Sequence, residues 1–275
     1  MFSFVGWRGP ATVAAPATII NEQIGTTLQQ QPPYSPAPAY VISAITDLNP
    51  TFYWPLGETS GVIAFDWSGH GNDAAIPQPP NITVGQPGPS ANCPAYIWSG
   101  TGTSDLAAVQ VSVTVPGTTT QVAFFYTTST AGHIIMQAGN NNTWGGWQAG
   151  SWGHTLWVRQ TSGVLAYGLY NGSAQIIEST GAVNDGKWHM AAAIRDGTGL
   201  YLYLDGGNLV ASTTTVTEAN GQSGTWWWGI GQGKTGGWPG SGNGIWQGGM
   251  AQVAIFNGQA LSTTDLNNIY TAVTG

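Results

Sequence analysis

Between Tyr53 and Asp73 the chain reads YWPLGETSGVIAFDWSGHGND, and this run restricts the fold more than any other stretch. Tyr53, Trp54 and Leu56 supply apolar surface, Glu58 to Gly61 is turn chemistry, and Val62 to Phe65 is strand-like again. The loop from Asp66 to Asp73 then combines short side-chain oxygens with Gly69 and Gly71, which adopt positive φ at no steric cost. An aromatic strand, a Gly-broken turn and a polar loop thus form one compact unit of an antiparallel β architecture.

The rest of the chain continues that pattern. From about Ala39 onward, short apolar runs are separated by turn signals at Asn171-Gly172, Asp185-Gly186, Asp196-Gly197, Asp205-Gly206 and Asn257-Gly258. Strands are predicted over 109–115, 121–126, 134–137, 155–159, 164–170, 175–178, 189–195, 200–204 and 225–230. Their spacing suits two packed antiparallel sheets. The only clear helix signal is Ser262 to Ala272, with Ser262 as cap, Asp265 in the first turn, and Leu266, Ile269 and Tyr270 on one face. A content of 41 Gly, 14 Trp and 10 Tyr in 275 residues fits a sandwich whose turns need glycine and whose strands bury aromatic rings.

Three segments carry a family resemblance. The pattern W-x-L-x-E-x-S-G at Trp54 to Gly61, followed by D-x-S-G-x-G-N at Asp66 to Asn72, resembles the start of a laminin-G-like, concanavalin A-like jelly-roll domain. Asp185-Gly186-Lys187-Trp188-His189 with Leu200 to Gly206 is similar to that family's central strand and paired hairpin. Val253 to Asn257, Ala260-Leu261-Ser262 and the helical Thr264 to Thr271 resemble its closing strand and C-terminal helix. The resemblance covers about residues 40 to 273 in the right order. It implies an all-β, two-sheet antiparallel jelly-roll sandwich with a short C-terminal helix, and it says less about function, since one fold carries many jobs.

Residues 1–38 differ in character from the domain at 39–275. Pro10, Pro16, Pro32, Pro33, Pro36 and Pro38 and the run Gln29-Gln30-Gln31 argue against an independent packed unit. Phe2, Phe4, Trp7, Ile19 and Ile20 are nevertheless too apolar for a solvated linker. This arm either packs on its own domain or extends over a neighbouring subunit as a docking segment, and the second arrangement is expected because spaced anchors bury area without a core. The start lacks the charged and continuous apolar regions of a signal peptide. No apolar run approaches the roughly 18 residues of a membrane span. Cys93 stands alone and is read as a small buried thiol.

Charge narrows the partners. Only 6% of residues are charged, and the formal net charge is −7 with Arg8, Arg159, Lys187, Arg195 and Lys234 as the only cations, so phosphate-backbone binding is set aside. Hydrolysis is also disfavoured. Glu22, Glu58, Glu178 and Glu218 are isolated from one another, with no E-x-D-x-x-E strand, and Asp185, Asp196 and Asp205 precede glycine as turn residues do. Ser68 has His70 near it in sequence but no nucleophile elbow. His189 should lie on the opposite strand face from Trp188, which is assigned to the core.

Two ligand readings stay open. Asp66, Asn72 and Asp73 offer hard oxygens on a Gly-rich loop, as Ca2+ requires, and Asp66 capping its own loop explains the same residues. The family's calcium-bearing members add an acid near the closing strand, where this chain has Ala251 and Gln252. Trp144, Trp152, Trp238 and Trp246, with Asn243, lie in Gly-rich flanks suited to stacking on sugar rings while amides bind hydroxyls. Packing in the core explains those indoles equally.

A laminin-G-like domain, low charge, an apolar arm and no secretion signal together resemble bacteriophage minor tail proteins. The resemblance implies a non-enzymatic virion protein, anchored by its arm to other virion proteins, forming a homo-oligomer and binding host surface glycan. A purely structural capsid or tail decoration protein is the alternative, and a glycan hydrolase a more distant one.

Overall fold

A computed structural model describes residues 36–76, 81–101, 106–111, 117–139, 152–170, 173–216, 226–233, 236–242 and 244–275, with 106–111 and Trp152 as backbone only. The docking-arm anchors Phe2, Phe4, Trp7, Ile19 and Ile20 lie outside these residues. The described residues fall within one compact unit, Gln31–Gly275.

In chain order the elements are α1 (Ala39–Thr46), β1 (Phe52–Trp54), β2 (Ile63–Ala64), β3 (Ala74–Ala75), β4 (Ile82–Ser90), β5 (Cys93–Ser99), β6 (Leu106–Val111), β7 (Thr118–Tyr126) and β8 (His133–Gly139). There follow β9 (Trp152–Val158), β10 (Val164–Tyr170), β11 (Ala174–Ala182), β12 (Trp188–Asp196), β13 (Leu200–Leu204), β14 (Asn208–Thr213), β15 (Trp226–Ile230), β16 (Gln247–Asn257) and α2 (Thr263–Thr274). One sheet runs β14-β13-β12-β7-β16-β5-β4, with β1 also paired to β16; the other runs β11-β10-β9-β8-β15-β6. All the pairings are antiparallel, as expected of the jelly-roll sandwich.

Period-2 alternation decides which side chains meet between the sheets. Phe125, Ala191, Ala193, Leu202, Val253 and Ile255 of the first sheet share one core with Leu156, Val158, Leu165, Tyr167 and Leu169 of the second. Their neighbours Val122, Phe124, Met190, Ala192, Ile194 and Phe256 point the other way, where Val41 and Ile45 of α1 and Leu266, Ile269 and Val273 of α2 cover them. Each such Leu, Ile or Phe contributes about 1.5–3 kcal/mol on full burial.

The helix α2 forms where the sequence places it. Ser262 accepts from the Asp265 amide, and the Asp265 carboxylate accepts from Ser262, a reciprocal capping box. Helix α1 was not expected, because AYVISAIT is short, β-branched and uncapped by any side chain; burial of Val41 and Ile45 on the sheet holds it. Pro36 and Ala37, ahead of it, are already buried.

Strand β16 is bulged at Gln252, which has φ +51°. There its partner changes from β5, which pairs Gln247 to Met250, to β1, which pairs Val253 to Ile255. The Gln252 amide donates to Pro55 O at 3.0 Å, and its Oε1 accepts from the Tyr53 hydroxyl at 2.5 Å. The bulge therefore keeps its backbone N–H and the Gln252 Oε1 bonded, while Gln252 Nε2 has no acceptor among the described residues. Trp188 lies half-buried on the helix-covered side beside Tyr126, while His189 faces Phe125 on the inner side, so the two point apart as expected but Trp188 is not in the inter-sheet core. Among the described residues no helix is long and apolar enough to cross a membrane.

Candidate functional site

The second sheet has an outer face that no helix covers among the described residues. Because Leu156, Val158, Leu165, Tyr167, Leu169 and Ile177 point inward, the alternate residues of β9, β10 and β11 point outward. Register places Trp157, Ala166 and Glu178 in one row across these strands, Thr155, Gly168 and Ile176 in the next, and Tyr170 opposite Ala174 beyond it.

The connection from β15 to β16 folds back over this face. The Gly231 amide donates to Ile135 O at 2.9 Å, Gly233 to Gly244 O at 3.0 Å, and Gln160 to Gly240 O at 3.1 Å. These bonds set the Trp238 indole against β9 and β10. Its ring lies 5.5 Å from that of Trp157, edge to face, and 6.4 Å from that of Tyr170, nearly parallel at 19°. Gly168 makes the room: a Cβ there would sit 2.8 Å from Trp238 Cζ3. Ile134, Trp157, Ala166 and Trp238 form a small buried cluster separate from the two main cores.

Tyr170, at the end of this cluster, is 42% exposed. Beside the cluster Arg159 Nη1 donates to Glu178 Oε2 in an ion pair. The Nε of Arg159 and the indole N–H groups of Trp157 and Trp238 have no acceptor among the described residues. An exposed phenol ring thus stands at one end of the outer face, and the charged pair lies toward the other, past Trp238: Glu178 shares the Ala166 row, four residues and about 13 Å along β10 from Tyr170.

The aromatic residues expected to bind sugars divide under this geometry. Trp246 is fully buried, edge-on to Phe125 and His133, and donates to Gly249 O at 3.3 Å, so it belongs to the core. Trp238, 4% exposed, lies packed on the outer face against Trp157 and Ala166 rather than presenting an open platform. A ring so enclosed has no face left for a sugar. Trp144, Asn243 and the Trp152 side chain lie outside the described residues; the Trp152 backbone pairs with Gly139. Tyr170, Arg159 and Glu178 were missed. The parity of β10 carried the signal, since Ala166, Gly168 and Tyr170 alternate with Leu165, Tyr167 and Leu169.

The Asp66 loop is closed on itself. Asp66 Oδ1 accepts from the Tyr53 and Ser68 amides at 3.0 and 2.9 Å, and Oδ2 from the Asn72 amide and the Ser68 hydroxyl at 2.9 and 2.7 Å. Asp73 Oδ1 accepts from the Asp66 amide at 2.8 Å, and Asn72 O from the Trp54 indole at 3.0 Å. Both Asp66 oxygens and Asp73 Oδ1 are turned to N–H and O–H donors, and the Asn72 side-chain amide donates to Thr51 O, so the loop as placed is the self-capped turn, with Asp66 already satisfied without Ca2+. Among the described residues no three His, Cys, Asp or Glu side chains gather as a metal site.

The histidines have structural surroundings. His154 is buried at φ +46°, its Nδ1 3.1 Å from the Tyr167 hydroxyl, and burial, with Arg195 adding repulsion, lowers its pKa to about 3. Burial also lowers that of His133, which bonds Ile245 O. His189 is held between Asp205 Oδ2 at 2.9 Å and Asp185 Oδ1 at 3.1 Å, and the bond to Asp205 is the main reason its pKa is raised. Cys93 is buried, and burial raises its thiol pKa, so it is no activated nucleophile.

Comparison with known proteins agrees with the architecture. The fold is similar to the binding domain of botulinum neurotoxin DC in complex with SialylT, at 14% identity and TM-score 0.54, covering 83% of this chain and 52% of that one. It is also similar to domain 4 of an extracellular arabinanase from Geobacillus stearothermophilus in complex with arabinotriose, at 13% identity and TM-score 0.53, covering 81% and 98%. The Trypanosoma rangeli sialidase in complex with sialic acid matches at 14% identity and TM-score 0.52, covering 81% and 33%. The chain therefore spans about half of the neurotoxin domain and a third of the sialidase. No curated protein sequence matches it. Residues 99–267, more than half of the chain, match a laminin-G family model, and the protein belongs to the concanavalin A-like lectin/glucanases superfamily.

Proposed function

We propose that this jelly roll binds carbohydrate without cleaving it, through the outer face of the six-stranded sheet around Tyr170. The observation that carries this reading is an exposed tyrosine ring, packed against a buried Trp238–Trp157 pair, on the same sheet face as hydrogen-bonding groups of both polarities in Arg159 and Glu178. The ion pair lies about 13 Å farther along the strands and so within the span of an oligosaccharide. A sugar presents C–H faces to such a ring and hydroxyls to such a pair. A similar fold in complex with arabinotriose, covered over nearly its whole length, supports the same reading.

Binding without hydrolysis follows from the acids. Glycosidases of the common type need two carboxyl groups flanking the scissile bond. Across the strands of this sheet Glu178 is the only acidic residue, and Arg159 holds it in an ion pair. Retention of the full chain on immobilised polysaccharides, with no reducing ends released, is the expected result. Failure to be retained by any glycan removes the reading.

The proposal extends to assembly. Residues 1–38, with apolar anchors in a charge-poor segment, dock the domain to neighbouring proteins of a virion as a homo-oligomer, and Trp144, Trp152 and Asn243 remain candidates for the glycan surface. Deleting residues 1–35, which leaves the buried Pro36 and Ala37 in place, should abolish incorporation into particles while sparing glycan retention. Incorporation that survives the deletion removes the docking role.

A further inference from the structure

We infer that the ligand class at Tyr170 is a neutral glycan rather than a sialylated, uronic or sulfated one; this rests on the outer sheet face being a carbohydrate site. The argument is one of charge. An acidic sugar recognised on a surface needs a cation whose charge is not already matched.

The described residues hold three cations. Arg159 is paired with Glu178, Lys187 Nζ lies 3.1 Å from Asp185 Oδ2, and Arg195 is buried with 1% exposure. At the proposed face, then, the one guanidinium is already neutralised by a carboxylate that is 43% exposed and repels any second anion placed beside it. The formal net charge of −7 adds to that repulsion. Lys234 lies outside the described residues and enters the test below.

A neutral sugar meets no such penalty. In a neutral oligosaccharide lying along the face, one residue covers Tyr170, whose ring lies nearly parallel to that of Trp238, with its apolar C–H face. The hydroxyls of another residue, about 13 Å along, donate to the Glu178 carboxylate and accept from Arg159 N–H groups, so both ends of the ion pair gain partners while its charge stays balanced. The stack is independent of charge, and the polar bonds need no counterion.

Affinity electrophoresis of the full chain tests this with linear arabinan, xylan and mannan against polygalacturonate and polysialic acid. The expected result is retardation by at least one neutral polymer and by neither anionic one, unchanged between about 0.05 and 0.5 M salt, where screening removes surface charge effects. Tyr170→Ala should weaken that retardation at least about tenfold, a loss of 1.4 kcal/mol, and Tyr170→Phe should restore it. Thermal unfolding verifies that both variants fold.

Salt-sensitive retardation by an anionic polymer, lost in Arg159→Gln or Lys234→Gln, overturns the neutral class while leaving a carbohydrate-binding protein. Undiminished retardation of Tyr170→Ala by a neutral polymer overturns the placement at Tyr170. Retardation by none of the five overturns the carbohydrate reading itself.

Discussion

Trp238 and Gly168 fit together only because Gly168 lacks a side chain. A Cβ at Gly168 would meet Trp238 Cζ3 at 2.8 Å, Gln175 O at 3.0 Å and Ile176 Cγ1 at 3.1 Å. The loop that carries Trp238 is therefore registered on the sheet by one missing methyl group, and this puts the indole nearly parallel to the Tyr170 ring.

Gly168→Ala should accordingly destabilise the protein by about 1–3 kcal/mol through overpacking, and Trp238→Ala by about 3–5 kcal/mol through the cavity it leaves. Urea unfolding reads both. The two act through a shared contact, so Gly168→Ala should cost less in the Trp238→Ala background, the remainder coming from Gln175 and Ile176. Full additivity would show that the indole does not rest on Gly168.

His189 gives stability a slope on the alkaline side. Its pKa is raised, first by the bond to Asp205 and then by Asp185, so the folded protein binds a proton that the unfolded chain releases near its ordinary value of 6.5. The stabilisation is complete below that value and is lost as pH rises through the higher folded pKa. The urea midpoint of the native chain should fall as pH rises above the ordinary imidazole value of about 6.5, and His189→Gln should flatten that fall. An unchanged slope in the variant would assign it to other groups.

His154 acts in the opposite direction. Burial and then Arg195 hold it near 3 against an ordinary 6.5, so between these values the unfolded chain takes up a proton that the folded one refuses. Stability should decline as pH falls through this window. His154→Asn suits the left-handed backbone at φ +46° and should remove part of the decline, His133 supplying a further part because burial lowers it too. Midpoints that fall equally steeply in the variant would mean that His154 is not the buried neutral base.

Local chemistry made much of this fold legible. Val164 to Tyr170 and Leu200 to Leu204 were recognisable strands with the observed limits, and Ser262 with Asp265 announced α2. Helix α1 was not, because Val41 and Ile45 owe their helical state to the sheet they cover rather than to propensity. Strand β4 was hidden by Pro87 and Pro89, which an edge strand tolerates. The site was harder still. Trp238 and Trp246 stand in equally Gly-rich surroundings, and only the path of the chain puts one on the outer face against Tyr170 and the other against Phe125. Tyr170 ends a strand without any motif, and its partner Trp238 lies 68 residues away.

Asp66 shows how one residue decides between a cation site and a self-capped turn. Its carboxylate already accepts four hydrogen bonds, three of them from the Tyr53, Ser68 and Asn72 amides. Bonds to a charged acceptor are worth about 1.5–3 kcal/mol each when buried, less at this half-exposed position, so Asp66→Ala should destabilise by about 2–3 kcal/mol in total. Asn would keep the shape but place an NH2 against one pair of donors, and Asp66→Asn should recover only part of the loss. Neither millimolar Ca2+ nor a chelator should move the unfolding midpoint of the native chain, because the loop's order comes from its own amides. A Ca2+-dependent rise in midpoint that disappears in Asp66→Ala would show that the carboxylate turns from those amides to a metal ion.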